Sequence, residues 1–176
     1  MSAELRRAKE RYERDRDTAR REAALNLRPH LAVDFRLSGW TGKTLGAYFD
    51  QWGPADRHPD GDWDWPEIIR RHNDADRLDI AIWGPDDRLC GLALGLTKGR
   101  AIEIRYVEGD PRADCPLTGR RILIVLECAA IYAQAMGKAE LHVQPVNASL
   151  VDLYQVKYGF TLASPRKQSP YYWKKV

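Results

Sequence analysis

AELHVQPVNASLVDLYQVKYGFTL, residues 139–162, is the stretch on which the fold turns. AELHVQP reads as a strand and ASLVDLYQVKY as a helix with Leu150, Leu153 and Tyr154 on one apolar face; GFTLAS and SPYYWKKV then read as two strands. Upstream lies a long apolar helix, RRILIVLECAAIYAQAM, which begins after Gly119 and stops at Gly137, a glycine suited to closing it. Further back, LDIAIWG, LCGLALGLTKG and AIEIRYVEG are successive strands joined by the turns PDDR and KGR. Before them, LAVDFRL alternates as a short strand and TGKTLGAYFDQW has the helical spacing Leu45, Tyr48, Phe49, Trp52. DWPEIIRRHN reads as a helix with Pro66 in its first turn. The order is strand, two helices, three strands, helix, strand, helix, two strands. An α/β (α+β) domain is therefore expected over residues 29–176, preceded by a charged helical arm over 1–28.

The 176 residues suffice for one hydrophobic core, and 44% apolar with 30% charged is a globular composition. No apolar run reaches the ~18 residues that span a bilayer. The chain opens Met1-Ser-Ala-Glu-Leu-Arg-Arg, without the apolar stretch of a secretory signal. No membrane association and a cytoplasmic location are expected. Cys90, Cys115 and Cys128 form no CxxC pair, and His30, His58, His72 and His142 have no ligand spacing, so reduced thiols and no metal are expected. GWTGKT at 39–44 has the look of a phosphate-binding loop, but Leu37 stands where that motif needs its first glycine.

Residues 1–28 hold nine Lys/Arg and six Asp/Glu, which accounts for the whole net charge of +3. The pairs Glu10/Arg14 and Asp17/Arg21 are spaced to support an exposed helix. Its apolar stripe, Leu5, Ala8, Tyr12, Ala19 and Ala23, is thin. Such a helix is expected to bury little, either lying on a partner or standing in solvent.

From about residue 31 onward the element order resembles the GNAT (general N-acetyltransferase) superfamily. Residues 139–162 are similar to that family's strand–Asn–helix–Tyr–Gly-Phe segment at Asn147, Tyr154, Gly159 and Phe160, with one extra residue between Tyr154 and Gly159. The resemblance implies a mixed, mostly antiparallel twisted sheet of six to seven strands flanked by helices, with acetyl-CoA (coenzyme A) as cosubstrate. The family's Arg/Gln-x-x-Gly-x-Gly/Ala loop is altered here. The stretch reads DCPLTG, with Asp114 in the place of the basic or amide residue and Leu117 in that of the first glycine; only Gly119 is kept.

A helix start binds a pyrophosphate through its free N–H groups and partial positive charge, and glycine lets the backbone approach closely. The cradle is therefore expected at Leu117, Thr118, Gly119, Arg120, Arg121 and Ile122. Cations in a first helical turn oppose the macrodipole by about 0.3–1 kcal/mol each. Either phosphates compensate Arg120 and Arg121, or solvent or an acid such as Asp114 does.

The resemblance further implies that AIEIRYVEG splays away from LHVQ, that a backbone N–H near Val107 polarises the thioester carbonyl, and that Asn147 bonds the pantetheine amides. It makes Tyr154 the acid that protonates the departing thiolate, as a phenol with a pKa near 10 can; the alternative is a core tyrosine. For the general base it offers a strand glutamate, Glu103 or Glu108. Those two lie on opposite faces of a regular strand, so only one can face the acceptor unless a bulge intervenes.

Between Asp50 and Glu67, six acids (Asp50, Asp56, Asp60, Asp62, Asp64, Glu67) surround one base, Arg57, and interleave with Trp52, Trp63 and Trp65. This segment could favour a cationic amine through charge and cation–π attraction, or be a solvated loop whose indoles pad the core. The expected activity is that of an acyl-CoA N-acyltransferase passing acetyl to an amine of a small molecule or a peptide. Two alternatives stand beside it. One is a GNAT-type toxin acetylating aminoacyl-tRNA, its RNA held by the basic helix and by Arg166, Lys167, Lys174 and Lys175. The other is a non-catalytic binding module. A two-fold homodimer is the default assembly.

Overall fold

A computed structural model describes all 176 residues. Seven strands are arranged as one sheet: β1 (Arg36–Ser38), β2 (Leu78–Trp83), β3 (Leu89–Lys98), β4 (Ala101–Gly109), β5 (Glu140–Val143), β6 (Thr161–Ala163) and β7 (Tyr171–Lys175). Their order across the sheet is β1-β2-β3-β4-β5-β7-β6. All neighbours are antiparallel except β4 and β5. β2 and most of β3 are buried on both faces, which is why they read as continuous apolar runs. β1 is shorter than the alternating stretch around it, because Leu31 and Phe35 drop into the core before the ladder begins.

One face of the sheet carries α4 (Arg121–Ala135), which buries Ile124, Val125, Cys128, Ala129, Tyr132 and Ala133. The helix ends where Gly137 takes φ +67° and the Lys138 N–H reaches back to the Ala133 carbonyl (2.8 Å), the left-handed closure expected there. The other face is covered by α2 (Gly42–Ala47), which runs on as a π-turn over Tyr48–Trp52, and by α3 (Trp65–Arg71). These elements bury Trp52 and Trp65 against Trp83, Leu92 and Leu94. Within GWTGKT, Thr41 caps α2 and Lys43 pairs with Asp87, so the segment is a helix start with structural work.

α1 (Ala3–Leu27) departs from the expectation that it buries little. Ala19, Ala23, Ala24 and Leu27 belong to the main core beside α4. Small side chains let two helices approach closely, so a thin stripe can dock firmly. The charged Arg20 is itself buried: its guanidinium meets the Asp79 carboxylate at 2.7 Å and the Asp79 carbonyl at 2.6 Å. Asp17 pairs with Arg20 rather than Arg21, and Glu10/Arg14 forms no ion pair. The first half of α1 is exposed, with acids and bases interleaved. Ala23→Leu is expected to cost about 1–3 kcal/mol by overpacking. Denaturant unfolding would measure it, and a change under ~0.5 kcal/mol would mean the docked half is not part of the core.

Two irregularities position the site. β4 pairs with β5 only from Ala101↔Glu140 to Ile104↔Val143, after which the strands diverge. Between β3 and β4, Gly95 pairs with Ile104 but Leu94 pairs with Tyr106, which leaves Arg105 as an extra residue, a β-bulge. The bulge resets the alternation. Ile102, Ile104 and Val107 pack in the core under α4, while Tyr106 packs with the tryptophan cluster.

Candidate active site

Where β4 and β5 part, a cleft of about 770 Å³ opens between the residues that follow β4, the start of α4, and α5 (Ala148–Asp152). At the start of α4, where the cradle is expected, the residues divide between the cleft, the core and the solvent. Gly119 takes φ +78°, and a Cβ there would meet open space. The N–H groups of Gly119, Arg121 and Ile122 donate to no protein acceptor, while those of Thr118 and Arg120 are used in turns to Cys115 and Leu117. Thr118, Gly119, Arg121 and Ile122 line the cleft. Leu117 does not: its side chain is fully buried in the core. Arg120 caps the helix and lies exposed outside the cleft.

Arg121 folds back along β4, and its Nη1 donates to the Asp110 carbonyl at 3.2 Å. It lies on the flat surface left by Gly109, where a Cβ would overlap the guanidinium. Asp114 is bound to Arg88 (2.8 Å) and so does not neutralise the arginine pair. The helix start thus offers bare amides and one cation to the same space. That donor set suits a pyrophosphate.

Across the cleft stands Asn147. Its Oδ1 caps α5 by accepting from the Leu150 N–H (2.9 Å), and its Nδ2 donates to the Asp60 carboxylate (3.0 Å). α5 continues as a π-turn over Leu153–Lys157, closed by the Tyr158 N–H to the Leu153 carbonyl at 3.2 Å. This turn absorbs the extra residue before Gly159. Tyr154 is buried, lines the cleft, and meets Phe160 edge-on at 5.4 Å. Burial raises its phenol to about 12.

Val107 and Tyr154 also line a small recess of about 50 Å³ on the far side of the gap between the strands, together with Asp60, Trp63, Tyr106 and Pro145. Trp63 and Tyr106 meet edge to face at 5.0 Å. Past Ile104 the β5-facing edge of β4, Val107 included, has no strand partner and is open to this gap.

The bulge at Arg105 brings Glu103 and Glu108 to the same face, not opposite ones: Glu103 pairs opposite Leu96 and Glu108 reaches Trp65, both on the tryptophan side. Neither carboxylate is idle. Burial would raise Glu103, but hydrogen bonds from Arg105 (2.9 Å) and Lys98 (3.0 Å) hold it below the usual range, and it does not line the cleft. Glu108 lines the cleft but accepts from Arg57 Nε (2.8 Å) and Nη2 (2.6 Å), the Asp62 N–H (2.9 Å), the Trp63 N–H (3.3 Å) and Trp65 Nε1 (2.7 Å). Every lone pair is in use. Glu108 pins the acidic segment to the sheet.

That segment therefore divides. Trp52 and Trp65 pad the core, Asp64 caps α3, and Glu67 pairs with Arg70 and Arg71. Only Asp60 and Trp63 reach the recess. Their composition marked the segment, but nothing local singled out these two.

By sequence, no family model and no curated protein matches the chain. By structure, it is similar to an acetyltransferase of the GNAT family from Staphylococcus aureus Mu50 (TM-score 0.54, 8% identity, covering 80% of this chain and 98% of that one). It is similar to the PaiA N-acetyltransferase of Thermoplasma acidophilum in complex with coenzyme A (0.54, 15% identity, 81% and 99%). It is also similar to Ard1 of Thermoplasma volcanium (0.55, 12% identity, 81% and 97%). The shared feature is the fold. No helix of the chain is long and apolar enough to cross a membrane.

Proposed function

We propose that this chain, which has the fold of the GNAT N-acetyltransferases, passes an acetyl group from acetyl-coenzyme A to an amine. The observation that carries the reading is the set of unpaired N–H groups at Gly119, Arg121 and Ile122, which open onto the same cleft as Asn147 and Tyr154. Acetyl-coenzyme A supplies the thioester and, at its other end, the pyrophosphate that this helix start would hold. Asn147 would stand beside the pantetheine, and the open edge of β4 at Val107 would offer a donor to a polarised carbonyl.

Tyr154 keeps its proton throughout the neutral range and is the group in the cleft suited to hand one to a departing thiolate. With Glu108 saturated and Glu103 outside the cleft, Asp60 is the carboxylate that borders both cleft and recess. It would take up the proton that the amine releases. Asp60 beside the Trp63 and Tyr106 rings also favours a cationic acceptor in the recess.

Thermal unfolding with acetyl-coenzyme A tests the reading. A ligand at about 100 times its Kd adds about 2.7 kcal/mol, which for a chain of this size raises Tm by roughly 5–10 °C. No shift at saturating concentration would leave a fold that binds something else. A shift without free-thiol release over a panel of amines would leave a binding module.

A further inference from the structure

Two cysteines distant in sequence meet beside the cradle. Cys90 stands at the start of β3 and Cys115 in the loop before α4; their Sγ atoms and a carboxylate oxygen of Asp110 lie within 4.8 Å of one another, all buried. Two thiols and a carboxylate could hold a metal, but both Asp110 oxygens are already bound. Oδ2 accepts from Arg88 Nε (2.7 Å) and Arg112 Nη2 (2.9 Å), and Oδ1 from Arg112 Nε (2.9 Å) and its N–H (3.0 Å). The two guanidiniums already balance the carboxylate, and a metal would have to displace them. What is left is a dithiol.

The two thiols are unequal. A hydrogen bond from Cys90 lowers Cys115 against the opposing effect of burial, and the Leu117 N–H adds to the lowering. The same contact and its own burial raise Cys90. Cys115 is the more nucleophilic end and Cys90 the resolving one. Cys115 also builds the cradle: its carbonyl accepts both the Thr118 N–H (3.2 Å) and the Thr118 hydroxyl (2.9 Å), in the turn that leads to Gly119.

We propose that Cys90 and Cys115 form a reversible oxidation site, at which a hydroperoxide converts the pair to a disulfide that pulls the cradle out of register and weakens coenzyme A binding. The Cys115 thiolate attacks one oxygen of hydrogen peroxide and breaks the O–O bond, giving a sulfenic acid and hydroxide, which a proton turns to water (an organic hydroperoxide would release its alcohol instead). The Cys90 sulfur then displaces the sulfenic oxygen, which leaves as a second water with the proton Cys90 gives up. Each thiol contributes one electron, and the peroxide takes both. A dithiol reductant reverses the change. The S–S bond requires a separation of about 2.05 Å, so the two sulfurs must close on each other, and a shift of the Cys115 backbone toward β3 is carried through its carbonyl to the Thr118 turn that leads to Gly119. The effect on binding rests on the acetyltransferase reading; the thiol chemistry does not.

The test treats the whole chain with hydrogen peroxide, then maps peptides without reductant and titrates coenzyme A by calorimetry. Expected are the loss of two hydrogens in the intact mass, a Cys90–Cys115 linked peptide, a free Cys128, and coenzyme A affinity at least about tenfold weaker, restored by a dithiol reductant. Cys90→Ser and Cys90→Ala should each abolish the link, and reduced samples of either should bind as the unmodified chain does. No linked peptide overturns the proposal, as does a linked chain that binds within twofold of the reduced one. A reduced chain that forms the link yet never binds coenzyme A overturns the acetyltransferase reading and the binding effect, and leaves the oxidation site standing.

Discussion

Tyr154→Phe is expected to slow acetyl transfer about 100-fold or more at neutral pH, the range lost when a positioned acid is removed. The substitution keeps the ring that meets Phe160 at 5.4 Å, so the core contact survives and only the hydroxyl is lost. Coenzyme A affinity should therefore change little, because the cradle at Gly119 does not involve this side chain. The split between kcat and binding separates a proton donor from a packing residue. The pH profile gives a second reading. Burial raises the phenol to about 12, so the proton is retained as pH rises, and no descending limb assignable to Tyr154 should appear below that value. A full rate in the phenylalanine variant would remove Tyr154 from the chemistry.

Glu108→Ala is expected to cost about 3–5 kcal/mol of stability, the usual consequence of leaving one member of a buried ion pair alone. The Arg57 guanidinium would lose its bidentate partner, and the Asp62 and Trp63 amides and the Trp65 indole would lose their acceptor. Urea unfolding at constant m-value measures the loss. Glu108→Gln keeps the shape but not the charge and should recover part of it. A cost under ~1 kcal/mol for the alanine variant would mean the segment from Arg57 to Trp65 is held by something else.

Much of the architecture could be read from residue pattern, and the departures have local causes. Residues 139–162 yield the strand, the helix and the place of Tyr154, because alternation and helical spacing are strong there. The extra residue before Gly159 carries no local signal of a π-turn; whether it lengthens a loop or swells a helix depends on Phe160 reaching the core. Likewise, counting along β4 puts Glu103 and Glu108 on opposite faces, and only the pairing with β3 shows that Arg105 is the extra residue. No glycine or proline flanks Arg105; the glycine at the register shift, Gly95, lies on the partner strand.

The bare amides at the start of α4 were legible from Gly119 and a helix start, but which side chains face the cleft was not. Leu117 turned inward because an apolar residue beside the core is better buried than presented to a phosphate. α1 misled for a related reason: alanines make a faint stripe in sequence, and the partner that takes Arg20, Asp79, lies 59 residues away. Cys90 and Cys115 illustrate the same limit, since only the folded sheet brings them into contact.

The four-rung parallel ladder between β4 and β5 has a mechanical consequence. It is the sheet's only seam between one half, which carries the tryptophan cluster, and the other, which carries β5, β7 and β6. A guest lodged where the rungs stop would act as mortar, touching the masonry on both sides and adding to the hold that α4 and the shared core already give the two blocks. Occupancy then adds to cohesion, and the filled protein should resist prying apart more than the empty one does.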